Sequence, residues 1–91
     1  MRFEWDESKR LINLNRHRID FADVDKIFAG ETLTLLDDRF AYEETRFVTF
    51  GLLFEKVVAV VHTEADDVIR VISIRRASKD EETTYFKEIR D

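Results

Sequence analysis

Four cations stand within the stretch RVISIRRASK, at Arg70, Arg75, Arg76 and Lys79, and no acid interrupts them. A second segment, Arg2 to Arg18, holds five Lys and Arg against three acids, and His17 in addition. Guanidinium and ammonium groups gathered in this way suit anion binding, because they match phosphate oxygens in charge and, for Arg, in fork geometry. The rest of the chain is acidic, so that 15 Lys and Arg stand against 20 Asp and Glu and the net charge is −5. Two readings are open. If the two basic segments meet in space, they form a local anion site. If they do not, each arginine pairs with one of the plentiful acids, a contact worth about 1 kcal/mol or less at the surface. The plainer reading extends to the other polar candidates: Lys9 as a solvated helix flank, His17 as a partner of a helix C-terminus, His62 as a hydrogen-bonded sheet residue, and Arg46 as a local pair with Glu43 or Glu44.

The elements that must position these groups are legible in outline. RFEW reads as a short strand and Asp6 as the cap of a helix over about Glu7 to Arg16. In that helix Leu11, Ile12 and Leu14 are expected inward, with Lys9, Asn13 and Arg16 on polar flanks. A second helix begins at Asp20 with Ile19 and Val24 spaced as a hydrophobic staple. It buries Phe21, Val24, Ile27 and Phe28 and ends at Gly30 as a C′ glycine. The middle is β: TLTLLDD, TRFVTFGLL and KVVAVVHT, the last nearly all apolar as in a strand covered on both faces. Turn signals at DDRFAYEE, GLLFEK and EADD separate these runs, and short connections favour antiparallel neighbours. A last strand covers Val68 to Arg76, and Ser78 with Glu81 opens a closing helix as a capping box. The order implies a single α+β domain over 1–91, with helices on a four-stranded, mostly antiparallel sheet whose edge the short N-terminal strand can join. In a regular last strand Ile72 and Ile74 share one face and Val71, Ser73 and Arg75 the other. Arg70 then falls on the core side and Arg75 on an open face, so Arg75 is expected to matter more than Arg70.

Composition excludes several classes. With no cysteine, neither a disulfide framework nor a thiolate metal site is possible, and two histidines 45 positions apart argue against zinc. The only glycines are Gly30 and Gly51, so there is no glycine-rich phosphate loop. The charged start MRFEWDESK is unlike a signal peptide and no apolar run reaches membrane-spanning length, which points to a soluble, cytoplasmic protein. No metal and no cofactor is expected.

The segment FEWDESKRLINLNRHRIDF resembles the opening of BrnT toxins, through Phe3, Trp5, Asp6, Lys9, Asn13, Arg16, His17, Ile19 and Phe21. EETRFVTFG is similar to that family's central strand, through Glu44, Arg46, Phe47 and Gly51. VVHTEADDVIRVISIRRASKDEETTY is similar to its ending, through Thr63, Glu64, Arg70, Ile72, Ser73, Arg75, Arg76, Ala77, Ser78 and Tyr85. Three motifs in order cover nearly the whole chain. Two positions depart from the pattern: Arg18 replaces a glycine, which removes the residue best suited to a left-handed helix cap, and Ala65 replaces an arginine.

The resemblance implies a RelE-like fold and a ribonuclease toxin of a type II toxin–antitoxin pair. Its partners would be an RNA substrate, a ribbon-helix-helix antitoxin of the BrnA type and, only through that complex, operator DNA, with no membrane involved. Metal-free RNA cleavage needs a base for the 2′-hydroxyl proton, cations for the dianionic phosphorane and an acid for the leaving 5′-oxygen. The implied catalytic residues are Lys9, His17, Arg46 and Arg75, with His17 moving protons; Glu44 is an alternative base, or only orients Arg46. Arg16, Arg70, Arg76 and Lys79 would hold RNA phosphate. Arg46 and Arg75 are expected to converge on one phosphate, with side-chain ends within about 10 Å, the reach of unscreened charge. A non-catalytic module, using the same basic face only to bind an acidic antitoxin, is the rival reading.

Overall fold

The computed structural model describes residues 1–39, 41 and 43–90. The turn expected over DDRFAYEE includes positions 40 and 42, which lie outside the described residues. Helix α1 spans Glu7–His17, and the Asp6 side chain caps it by accepting from the amides of Ser8 at 2.9 Å and Lys9 at 3.4 Å. Asp20 caps a single 3₁₀ turn, Phe21–Asp23, which runs on into the short helix α2, Val24–Ala29. Helix α3 spans Lys79–Arg90 behind the expected capping box, in which Glu81 accepts from the Ser78 amide and Ser78 from the Glu81 amide. Local hydrogen bonding sets all three starts.

The helix ends depart from expectation. Gly30 has φ −95°, so α2 ends without a left-handed glycine. Arg18, where the motif that the sequence resembles has a glycine, takes the left-handed conformation itself at φ 61°, ψ 29°, and its amide donates to Leu14 O. The chain keeps the cap and carries the strain of a side chain there. Arg18→Gly should therefore stabilise the fold by about 0.5–1 kcal/mol, read as a higher urea midpoint with an unchanged slope. An unchanged or lower midpoint would mean that the Arg18 side chain compensates for the strain.

The strands are β1 Arg2–Trp5, β2 Leu33–Leu36, β3 Phe47–Leu53, β4 Lys56–Ala65 and β5 Val68–Arg76, in the spatial order β1-β5-β4-β3-β2. The four later strands are antiparallel, but β1 pairs parallel with β5, from Arg2 opposite Val68 to Trp5 opposite Val71. The sheet is thus five-stranded and mixed, not four-stranded. The physical reason is on β1 itself: Phe3 and Trp5 pack on the helix-side core, and only addition at the β5 edge puts them there. Two hairpins turn in two residues, and both central residues of each have positive φ: Phe54 and Glu55, then Asp66 and Asp67. That is the requirement of primed turns, met here without glycine.

The sheet separates two cores. On one face Ile19, Phe21, Val24 and Ile27 pack on Leu53, Val58, Val60, Val71 and Ile74. Gly51 lets α2 approach, since a Cβ there would stand 2.8 Å from Ile27 Cγ2. On the other, Tyr85, Phe86 and Ile89 of α3 cover Val48, Phe50, Val57, Ala59 and Val61. Of the three residues expected inward on helix α1, Leu14 is half-buried but the other two are not covered. Leu11 and Ile12 are 53% and 63% exposed, whereas Asn13 is 5% exposed. Among the described residues no helix is long and apolar enough to cross a membrane.

A bulge in β5 decides which side chains reach which face. Val61 pairs with Ser73 but His62 pairs with Val71, leaving Ile72 as the extra residue. Ile72 therefore joins the α3-side core while Val71 and Ile74 share the other. Ala59 and Val61, on the α3 side, are opposite Arg75 and Ser73, and Thr63 two residues on is opposite Arg70. Arg70, Ser73 and Arg75 consequently share one face. The expectation of opposite faces for Arg70 and Arg75 fails, because one inserted residue shifts the alternation.

Candidate functional site

Beyond Trp5 the β1 strand stops and β5 has a free edge from Ile72 onward. Asn13 takes over at that edge. Its Nδ2 donates to Ile74 O at 2.9 Å and Ile19 O at 3.1 Å, and its Oδ1 accepts from Ile74 N at 3.1 Å. The amide side chain thus imitates one residue of a missing strand and fixes α1 to the sheet edge. Lys9, Ile12, Asn13 and Arg16 follow the i, i+3, i+4, i+7 spacing of a single helix stripe. With His17, Ile72 and Ser73 they line a concavity of about 250 Å³. Among the described residues no acid lines it, and Lys9 and Arg16 form no ion pair. Two cations, an imidazole and a hydroxyl are brought together by one buried amide.

The remaining sequence candidates stand on the α3 side of the sheet or at the strand end. Thr63 of β4, Arg70 of β5 and Glu4 of β1 lie in one row, and Arg46 immediately precedes β3. Arg46 donates to Glu44 at 3.0 Å and Arg70 to Glu4 at 3.2 Å. Arg75 forks onto Glu81 at 2.7 and 2.9 Å, and this bidentate bond, with the Ser78 amide, holds the Glu81 carboxyl down at about 2. Glu81 in turn raises the Arg75 guanidinium above its ordinary value. Arg46 stands just before β3 and Arg75 near the end of β5, each held by its own carboxylate, Glu44 and Glu81. Arg76 and Lys79 are exposed at the end of β5 and the start of α3.

Residues that the sequence reading did not single out complete this face. Asp37, whose side chain is 1% exposed, donates its amide to Arg46 O and takes a bidentate bond from Arg39 at 2.8 and 3.1 Å. Arg39 in turn shares a concavity with Arg75 and Glu81. By sequence DDR marks a turn; the signal for this pair is a carboxylate two residues from a guanidinium next to an edge strand. This second concavity holds three acids, Asp37, Asp38 and Glu81, against two arginines. It is a neutralised charge network, unlike the acid-free edge at Lys9 and Arg16.

His62 is fully buried between Phe28 and Phe47, and its Nε2 bonds Thr49 Oγ1 at 2.7 Å. Burial lowers its pKa, so the ring is held neutral, and its Nδ1 has no hydrogen-bond partner. It is a sheet residue, remote from His17. Among the described residues no group of three His, Cys, Asp or Glu side chains is gathered as metal ligands would be.

A family model described as the ribonuclease toxin BrnT of type II toxin–antitoxin systems matches residues 5–81. No curated protein matches the chain. The matched span includes β1's Trp5, the whole of α1 with its edge-capping Asn13, the bulged β5 and the Ser78–Glu81 box. The chain belongs to the BrnT family of ribonuclease toxins of type II toxin–antitoxin systems.

Proposed function

We propose that this protein is a metal-independent endoribonuclease that arrests growth when free and is silenced by a BrnA-type antitoxin. The observation that carries the reading is the acid-free concavity of Lys9, Arg16, His17 and Ser73 on the free edge of β5. In the proposed reaction the RNA 2′-oxygen attacks the adjacent phosphorus and the bond to the 5′-oxygen breaks, leaving a 2′,3′-cyclic phosphate and a 5′-hydroxyl. The 2′-oxygen loses a proton and the leaving 5′-oxygen gains one; His17 carries out one of these transfers and solvent water the other, imidazole being a side-chain type suited to proton transfer. Lys9 and Arg16 offset charge on the phosphorane. Arg46 and Arg75, on the adjacent face, hold flanking phosphates, and Arg70, Arg76 and Lys79 extend the track. Glu44 and Glu81 orient their arginines and weaken non-specific attraction of nucleic acid, as the acidic remainder of the chain does. The protein acts in the cytoplasm and reaches operator DNA only with its antitoxin.

The test is expression of the chain alone, then with its genomic neighbour, together with cleavage of single-stranded RNA by purified protein in EDTA. Growth arrest relieved by the neighbour, with EDTA-resistant cleavage, is the expected result. Relief without any cleavage would instead support a non-catalytic module, for which the exposed Leu11 and Ile12 beside Lys9 and Arg16 supply a docking face.

A further inference from the structure

The hairpin between β3 and β4 carries a feature that the proposed reaction leaves unused. Phe54, at its tip, is 69% exposed and is held at φ 49°, a conformation that a bulky residue rarely adopts. The two-residue turn imposes that conformation, as it does on Glu55 beside it. Phe54 lines a concavity of about 390 Å³ with His17, Arg18, Lys56 and Arg76. Among the described residues Arg18, Lys56 and Arg76 form no ion pair, and the one acid lining the concavity, Asp23, already binds Lys26 at 2.7 Å. Lys26 Nζ also stands 5.4 Å from the Phe54 ring centroid. His17 lines both this concavity and the one with Lys9 and Arg16, so the two are neighbours at the end of α1.

An exposed aromatic ring flanked by unpaired cations is the arrangement by which proteins hold single-stranded nucleic acid, the ring stacking on a base and the cations tracking the backbone. We infer that Phe54, Arg18, Lys56 and Arg76 form a subsite for one unpaired RNA nucleotide next to the scissile phosphate, with its base stacked on Phe54. The inference rests on the ribonuclease reading and adds a selectivity to it: the strand must be unpaired at that position, since a base inside a duplex offers no free face. Arg18, which departs from the family's glycine, gains a role at the cost of its backbone strain, and Lys56 gains one that the sequence did not suggest.

The experiment measures binding of a short fluorescent 2′-O-methyl RNA strand, which lacks the attacking hydroxyl, by anisotropy across a salt series. Phe54→Asn should weaken binding about tenfold, the loss expected for one stacked base. Because asparagine accepts positive φ more readily than phenylalanine, the same variant should melt no lower than the wild type. Phe54→Trp should keep the affinity. Lys56→Gln and Arg18→Gln should each reduce the salt dependence of log K by about 1, as lost phosphate contacts do. If Phe54→Asn binds as tightly as the wild type, or Phe54→Trp binds as weakly as Phe54→Asn, the subsite is overturned while RNA cleavage by the wild type leaves the proposed function standing. If the wild type neither binds nor cleaves RNA, both fail together.

Discussion

His17→Ala should lower RNA cleavage by about 100-fold or more while the protein remains folded, because positioned proton transfer contributes on that scale. His17 is the last residue of α1 and the residue common to both basic concavities. Its structural alternative is favourable interaction with the helix C-terminus, worth about 0.3–1 kcal/mol at an exposed position. That role predicts a small loss of stability and no loss of rate beyond it. The two roles separate in the pH–rate profile: a proton-transfer residue removes one limb of the profile when replaced, and a dipole partner only lowers the urea midpoint. Lys9→Ala should lose activity without altering the shape of the profile. Arg70→Ala provides the comparison, because its exposed pair with Glu4 should cost about 1 kcal/mol or less and little activity. If His17→Ala and Lys9→Ala both cleave at the wild-type rate, the β5 edge is not the reaction site and the Arg46–Arg75 face must be tested in its place.

Asn13→Ala should be the most damaging single substitution to stability. It leaves Ile74 N–H, Ile74 C=O and Ile19 C=O without the bonds they now make in a buried setting. Each stranded polar group costs about 1–3 kcal/mol, so a loss of about 3–5 kcal/mol is expected, a large part of the 5–15 kcal/mol that holds a domain of this kind together. Asn13→Asp should also destabilise, since a carboxylate can still accept from Ile74 N but meets two carbonyl oxygens in place of a donor. Unfolding in urea gives the magnitude, and hydrogen exchange at the Ile74 amide locates it: exchange there should accelerate in Asn13→Ala before the sheet centre opens. A loss below about 1 kcal/mol would mean that the edge finds other partners. The consequence for function follows from geometry. Asn13 ties the Lys9–Arg16 stripe to Ser73, so a variant that still folds should lose RNA affinity as the two walls separate.

Sequence alone determined the elements whose causes lie within a few residues of chain. Asp6, Asp20 and the Ser78–Glu81 box set helix starts through side-chain bonds to the next amides, and the apolar run KVVAVVHT became a strand covered on both faces. The two basic segments were legible as charge, and the family as ordered motifs. Tertiary structure decided the rest, because it depends on groups far apart in sequence. Period 3.6 placed Leu11 and Ile12 inside α1's apolar face, yet the sheet edge beneath that helix offers an unpaired amide and carbonyl at Ile74, and a buried polar pair is best met by Asn13. Period 2 separated Arg70 from Arg75, yet β4 pairs with β5 through a bulge at Ile72 that no local signal marks, and the two arginines share a face. Charge count gathered Arg70 and Arg75 with Arg76 and Lys79, yet ion pairs with Glu4 and Glu81 engage those two, as the local pair with Glu44 engages Arg46, and among the described residues Lys9 and Arg16 stay open. Local chemistry fixes where a segment begins; which of its side chains remain available is fixed by what the other segments bring to meet them.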